Sequence, residues 1–103
     1  MINVTFYKRA DSFTGFEFSG HSDYAEEGFD IVCAAVSSAA YLTANLLSDS
    51  FSENTYVTVS DGHMILTVEK SDNSDRIIEG LYQHLLQLED QYTKDIIVKI
   101  TEV

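Results

Sequence analysis

Cys33 and His21 are the two residues of this chain whose types and spacing could do chemistry. Cys33 is the chain's only cysteine, and His21 precedes it by twelve positions. A thiolate is a strong nucleophile, and a neighbouring imidazole can form an ion pair with it and pass a proton to a leaving group. The pair therefore leads us to hypothesise a cysteine hydrolase with His21 and Cys33 as its catalytic residues.

The segment around Cys33 predicts how the two residues are positioned. His21 lies in a loop with Gly20 and Gly28 near its ends, and a helix is predicted from about Asp30 to Leu47. Asp30 is a good N-cap, which would place Cys33 in the first helical turn, where exposed N–H groups and the helix dipole favour a thiolate. Asp30 could also orient the imidazole of His21, and capping is the favoured interpretation.

Ser37 is a further candidate for the site because it follows Cys33 by four residues and so shares its helical face. Its hydroxyl could line the site as a supporting group. It could equally be a buried hydroxyl that bonds to its own helix backbone.

Hydrophobic periodicity predicts the surrounding elements. Apolar and polar residues alternate over residues 2–7 and 16–19, which predicts two strands paired as a hairpin. Residues 55–60 and 63–69 predict a second hairpin, and Asp61-Gly62 between them is typical of a type I′ turn. A second helix begins in the polar run 71–75, and a last strand covers residues 96–100. The order β-β-α-β-β-α-β predicts a single domain over residues 1–103 with an α+β sandwich fold. Its sheet would carry a central apolar helix and a second, amphipathic helix.

The first helix carries no charged residue between Ile31 and Leu47 and is rich in alanine. A helix that is apolar nearly all round belongs in a protein interior or at a subunit interface. No uninterrupted apolar run reaches the roughly 18 residues of a membrane span, so we expect no membrane partner.

Composition restricts the partners and the compartment. Six basic residues stand against seventeen acidic ones, a formal charge of −11. This acidic excess argues against direct nucleic-acid binding and permits a basic protein partner. Such an excess is also ordinary for a soluble protein.

A single cysteine cannot make an internal disulfide, so a cytoplasmic location is expected. The three histidines are widely separated and no phosphate-binding loop is present, so we expect no metal and no cofactor.

The residues around the candidate pair resemble the signature of the ribosomal-processing cysteine protease family, Prp. The resemblance extends over essentially the whole chain, with one mild departure at Ser22, where the family most often has alanine. The matching residues are Gly20-His21 and Gly28-x-Asp30-Ile31-Val32-Cys33-Ala34-Ala35-Val36-Ser37.

This resemblance implies a specific activity. Family members in Firmicutes and related bacteria remove a short N-terminal extension from the large-subunit ribosomal protein numbered twenty-seven. Their histidine and cysteine dyad maps onto His21 and Cys33, they form homodimers, and the loop between the dyad residues rearranges around substrate. From their positions in that loop, independently of the resemblance, Tyr24 and Phe29 would be available for apolar contacts with substrate, and Gly20 and Gly28 would allow the loop to move.

Two other functions are compatible with the residues. An acidic, non-enzymatic homodimer could bind a ribosomal protein or an assembly factor, in which case Cys33 would be a packing residue. A thiol redox sensor could use Cys33 alone, without His21. The dense match from His21 to Ser37 favours the protease.

Overall fold

Five strands and two helices make up the described part of the chain. A computed structural model describes residues 1–20 and 27–103, with residues 27–30 as backbone only. The elements follow the predicted order β-β-α-β-β-α-β, which confirms the α+β fold, and helix α1 continues directly into a short π-helical segment, Leu46–Ser50. The bounds are β1 (Ile2–Arg9), β2 (Ser12–Ser19), α1 (Glu27–Asn45), β3 (Thr55–Ser60), β4 (His63–Val68), α2 (Asp72–Gln91) and β5 (Ile96–Glu102).

The strands form one mixed sheet in the order β3-β4-β2-β1-β5. Strands β1 and β5 are parallel, and the other neighbours are antiparallel. The register aligns Val4 with Phe18 and Phe18 with Met64, so their side chains share one face. This face is buried together with residues of both helices, which places the helices in one layer on one side of the sheet.

A β-bulge in the first hairpin brings an extra aromatic ring into the core. Residues three positions apart on a regular strand point to opposite faces of the sheet. Because the register shifts between Tyr7 and Lys8, Phe13 and Phe16 are nevertheless both buried. The Phe6 ring lies 5.9 Å from each of these rings and 5.2 Å from the ring of Tyr82 on α2. These contacts fix α2 on the sheet.

The hairpin between β3 and β4 turns at Asp61-Gly62, as predicted. Gly62 has φ 70°, whereas Asp61 is not among the residues of positive φ. A type I′ turn requires positive φ at both central residues, and a type II turn requires it only at the second. The predicted turn type is therefore wrong, and the geometry agrees with type II.

Helix α1 is apolar on both its inner and its outer side. By length and composition alone, the stretch Ile31–Ser50 could cross a membrane: it has 20 residues and a mean hydropathy of 1.5. It is not an uninterrupted apolar run, because serine and threonine lie within it, but these residues lower its mean hydropathy little. Core helices of soluble domains pass the same test, and 33% of this stretch is buried within the domain.

Helix α2 is amphipathic, as its sequence spacing predicts. Ile78, Leu81 and Leu85 are buried against the sheet side, while most of the polar residues between them are exposed. Ser71 caps the helix: its hydroxyl accepts a hydrogen bond from the Ser74 N–H, and its own N–H donates to the Ser74 hydroxyl. This reciprocal capping box fixes where α2 begins.

Candidate active site

Cys33 lies on α1 at the border of the hydrophobic core. Its neighbours Val32 and Val36 are fully buried, whereas Cys33 is a free, half-buried thiol packed against the core. A helix held by buried side chains on both sides of the thiol is a rigid support for a reactive group. Part of the Cys33 surface remains exposed to solvent.

The helix begins earlier than the sequence predicts. It begins at Glu27, so Asp30 belongs to its first turn and is not its N-cap. The prediction fails because acidic residues are favoured both at the cap and within the first turn, so an aspartate alone does not mark the boundary. A glycine inside a helix costs only about 1 kcal/mol, so Gly28 does not stop it either.

The earlier start changes the electrostatic argument for Cys33. Counted from Glu27, Cys33 is the seventh residue of the helix and lies in its second turn. Unpaired N–H groups belong to the first turn, and the dipole effect falls off within that turn. The predicted placement of Cys33 in the first helical turn is therefore wrong, and the argument from the helix start does not apply to it.

The predicted loop is also shorter than the sequence suggests. Gly28 and Phe29 belong to helix α1, so neither is a loop residue and Gly28 gives no loop turn. His21, Ser22 and Tyr24 lie outside the described residues. Their roles remain predictions.

Ser37 lies where the spacing predicts, one turn after Cys33. Both residues are half-buried, and they share one flank of the helix's buried face. The opposite flank, which includes Ala35 and Ala39, lines an apolar groove of about 570 Å³ between α1 and α2. The candidate site is thus distinct from this groove.

Gly20 directly follows β2 and is held on two sides. Its N–H donates to the carbonyl of Gly62, with 3.0 Å between nitrogen and oxygen. A Cβ atom built on Gly20 would lie 2.8 Å from the Cα of Ile2 and 2.9 Å from its Cγ1, so only a glycine fits here without displacement. The backbone directly before His21 is therefore fixed by its neighbours.

Sequence reasoning missed a hydrogen-bonded network next to this point. Glu17 accepts hydrogen bonds from the Tyr7 hydroxyl, at 2.7 Å, and from the His63 Nε2, at 2.5 Å. These two hydrogen bonds lower the pKa of Glu17, with the larger effect from His63 and the smaller from Tyr7. Burial acts in the opposite direction and does not outweigh them. The bond between Tyr7 and Glu17, burial and the charge of Glu17 raise the pKa of Tyr7. His63 is thus a partly exposed residue whose ring is paired with Glu17.

The other histidine of the described chain lies elsewhere. His84 is exposed on α2, at the groove between the helices. Among residues 1–20 and 27–103, no three His, Cys, Asp or Glu side chains are grouped so that they could hold a metal ion.

The family comparison decides between the chemistries that a half-buried thiol allows. The family model described as cysteine protease Prp matches residues 1–97, nearly the whole chain. The chain belongs to the Prp family. It is therefore a cysteine protease, and the resemblance seen around His21 and Cys33 extends through the entire fold.

Individual Prp proteins agree with this assignment. The ribosomal processing cysteine protease Prp of Staphylococcus aureus (strain Mu50 / ATCC 700699) is 31% identical over 81 residues, covering 75% of this chain and 76% of that protein. A crystal structure of the essential S. aureus Prp with a substrate peptide superposes with a TM-score of 0.90 at 24% identity, covering 98% and 100% of the chains. A second structure, with a covalently linked product peptide, gives 0.87 at 25% identity and the same coverage.

Proposed function

We propose that this Prp-family protease processes a ribosomal protein in the bacterial cytoplasm. Its substrate would be the precursor of the large-subunit protein numbered twenty-seven, from which it removes the N-terminal extension. The observation that carries the proposal is the family match over residues 1–97, together with the half-buried thiol of Cys33 that the match includes. The S. aureus relative, named as a ribosomal processing protease, supports the substrate class.

The proposed mechanism uses Cys33 as nucleophile and His21 as its proton partner. The Cys33 thiolate attacks the scissile carbonyl, a C–S bond forms, and the C–N bond breaks as the His21 imidazolium protonates the leaving amine. Water then attacks the acyl-enzyme, His21 takes up its proton, and the Cys33 thiolate leaves. The covalently linked product peptide in the S. aureus structure accords with such an intermediate.

Asp30 and Ser37 are proposed as supporting residues. Asp30 does not cap the helix, which leaves orientation of the His21 imidazole as its proposed role. It precedes Cys33 by three residues and so lies on the same side of α1. Ser37 shares the half-buried flank of Cys33 and is proposed to line the site. We propose Tyr24 as an apolar contact for the substrate.

We propose that the protease acts as a homodimer. The outer side of α1 exposes large apolar side chains: Ile31 at 52%, Tyr41 at 46% and Leu42 at 60% of their full accessible surface. Apolar side chains concentrated on one helix face are typical of a surface that associates with another protein.

Mass spectrometry of the ribosomal precursor tests the activity. Incubation with the wild-type protein should give one cut that removes the N-terminal extension, and Cys33→Ser and His21→Ala should each give none. Ser38→Ala is the matched control, since Ser38 is exposed on the same helix as Cys33 and should leave the cut unchanged. Binding of the precursor without any cut by the wild type would overturn the proposal.

A further inference from the structure

The network of Tyr7, Glu17 and His63 lies on the open face of the sheet, opposite the helices. No second layer of the described chain covers this face, and the side chains of His63 and Glu17 keep 34% and 31% of their accessible surface. Tyr7 comes from β1, Glu17 from β2 and His63 from β4, so the network joins three neighbouring strands. A carboxylate that accepts two hydrogen bonds makes stronger contacts than a neutral acceptor.

The network adjoins the backbone that leads to His21. Ser19 pairs with His63 in the β2–β4 register, and the next residue, Gly20, donates its N–H to the carbonyl of Gly62. The residue directly before His21 is thus bonded to the residue directly before His63. Any shift of the β3–β4 turn relative to β2 would move the point from which His21 extends.

We propose that the hydrogen-bonded network of Tyr7, Glu17 and His63 positions the catalytic His21 by locking the β3–β4 turn onto the end of β2. The proposal rests on the proposed function, because it takes His21 as a member of the dyad. His63 and Glu17 are positioning residues here, since they act through Gly62 and Gly20.

The location of the network explains why side-chain bonds would be needed there. The hydrophobic core lies on the other face, and Val59 and Ser60, which lead into the turn, are exposed. Packing therefore holds the turn only from its β4 side, through the buried Met64. Misplacing a catalytic group by about 1 Å can lower a rate by about 10²-fold, so a modest displacement of the turn would be measurable.

Kinetics of precursor cleavage by His63 variants provide the first test. We expect His63→Ala to lower kcat roughly tenfold with little change in KM, because the substrate contacts are retained while the dyad is misaligned. His63→Gln keeps a donor for Glu17 and should restore most of kcat. Tyr7→Phe removes the bond farther from the turn and should have a smaller effect.

Asn54→Ala is the matched control. Asn54 Nδ2 donates to Glu69 Oε2 at 2.8 Å, near the opposite ends of β3 and β4, so this variant also removes a side-chain bond linked to the hairpin. It should leave kcat unchanged. Wild-type kcat in His63→Ala, or an equal loss in Asn54→Ala, would overturn the positioning role.

The labelling rate of Cys33 with iodoacetamide, measured against pH, separates this proposal from the proposed function. Cys33 is the only cysteine, so labelling is unambiguous. In the wild type, labelling should begin at a lower pH than in His21→Ala, and His63→Ala should move the profile toward that of His21→Ala. If the wild type already matches His21→Ala, the dyad and the positioning role both fail. If His21→Ala differs from the wild type but His63→Ala does not, the positioning role fails and the dyad stands.

Discussion

At the scale of single residues, Gly20 is a position where an added side chain would disturb the backbone directly before His21. An alanine Cβ there would lie within 3 Å of the Ile2 backbone and side chain. We expect Gly20→Ala to lower the free energy of unfolding by about 1–3 kcal/mol through this overlap, and to slow cleavage because His21 follows directly. Urea unfolding and precursor cleavage measure the two effects.

Gly80→Ala is the control for this substitution. A Cβ on Gly80 meets nothing within 4 Å, and Gly80 lies inside helix α2. Alanine there should raise the free energy of unfolding by about 0.5–1 kcal/mol. Equal effects of the two substitutions would contradict the steric argument for Gly20.

The network residues Glu17 and Tyr7 make stability depend on pH at both ends of the range. The pKa of Glu17 is lowered in the fold, so its contribution is full above its ordinary value of 4.5 and is lost as pH falls through the folded value. The pKa of Tyr7 is raised, so its contribution is full below 10.0 and is lost as pH rises through the folded value. Urea unfolding measures the free energy of unfolding across this pH range. Compared with the wild type, that free energy should fall less steeply toward acid pH in Glu17→Gln and less steeply toward alkaline pH in Tyr7→Phe. Unchanged slopes in both variants would contradict the assignment.

At the scale of elements, the capping box of Ser71 and Ser74 determines where α2 begins. Ser71→Ala removes a hydroxyl that accepts from the Ser74 N–H at 2.9 Å, and we expect it to lower the free energy of unfolding by about 1 kcal/mol. Asn73→Ala, an exposed substitution in the same turn, should change it by less than about 0.5 kcal/mol. Thermal unfolding of both variants checks this, and an equal loss in each would indicate general fraying of the helix end.

Most elements were predictable from local sequence pattern, apart from the beginning of α1, whereas contacts that depend on the pairing of distant strands were not. Alternation and Asp61-Gly62 predict the second hairpin, and the spacing of Ile78, Leu81 and Leu85 predicts α2. The beginning of α1 was misplaced because Asp30 suits two positions equally well. The bond between Glu17 and His63 joins residues 46 positions apart, and only the pairing of β2 with β4 reveals it. The motif around His21 and Cys33 predicts the dyad, which stays a prediction because His21 lies outside the described residues.

At the scale of the whole molecule, the exposed outer side of α1 predicts the effect of a charge on assembly. Leu42 is 60% exposed and stands beside Tyr41, in the part of α1 after Ile31 that carries no charged residue. We expect Leu42→Glu to convert the proposed homodimer to a monomer, because a buried, unpaired carboxylate opposes association. Sedimentation velocity measures this, with Gln87→Glu, an exposed position on helix α2, as a control for added charge. A dimer that persists in Leu42→Glu would place the interface on another surface.

The net charge of the molecule predicts how salt affects catalysis. With a formal charge of −11, the protease should attract a basic ribosomal precursor over long distances. Salt shortens the range of this attraction, because the Debye length falls from about 30 Å at 0.01 M to about 8 Å at 0.15 M. We therefore expect kcat/KM for the precursor to fall on the order of tenfold over this range, mainly through a higher KM. An uncharged peptide spanning the cut lacks the long-range attraction, so its kcat/KM should stay nearly constant. If both substrates lose activity equally, salt acts on the enzyme itself, and long-range attraction does not contribute to capture of the precursor.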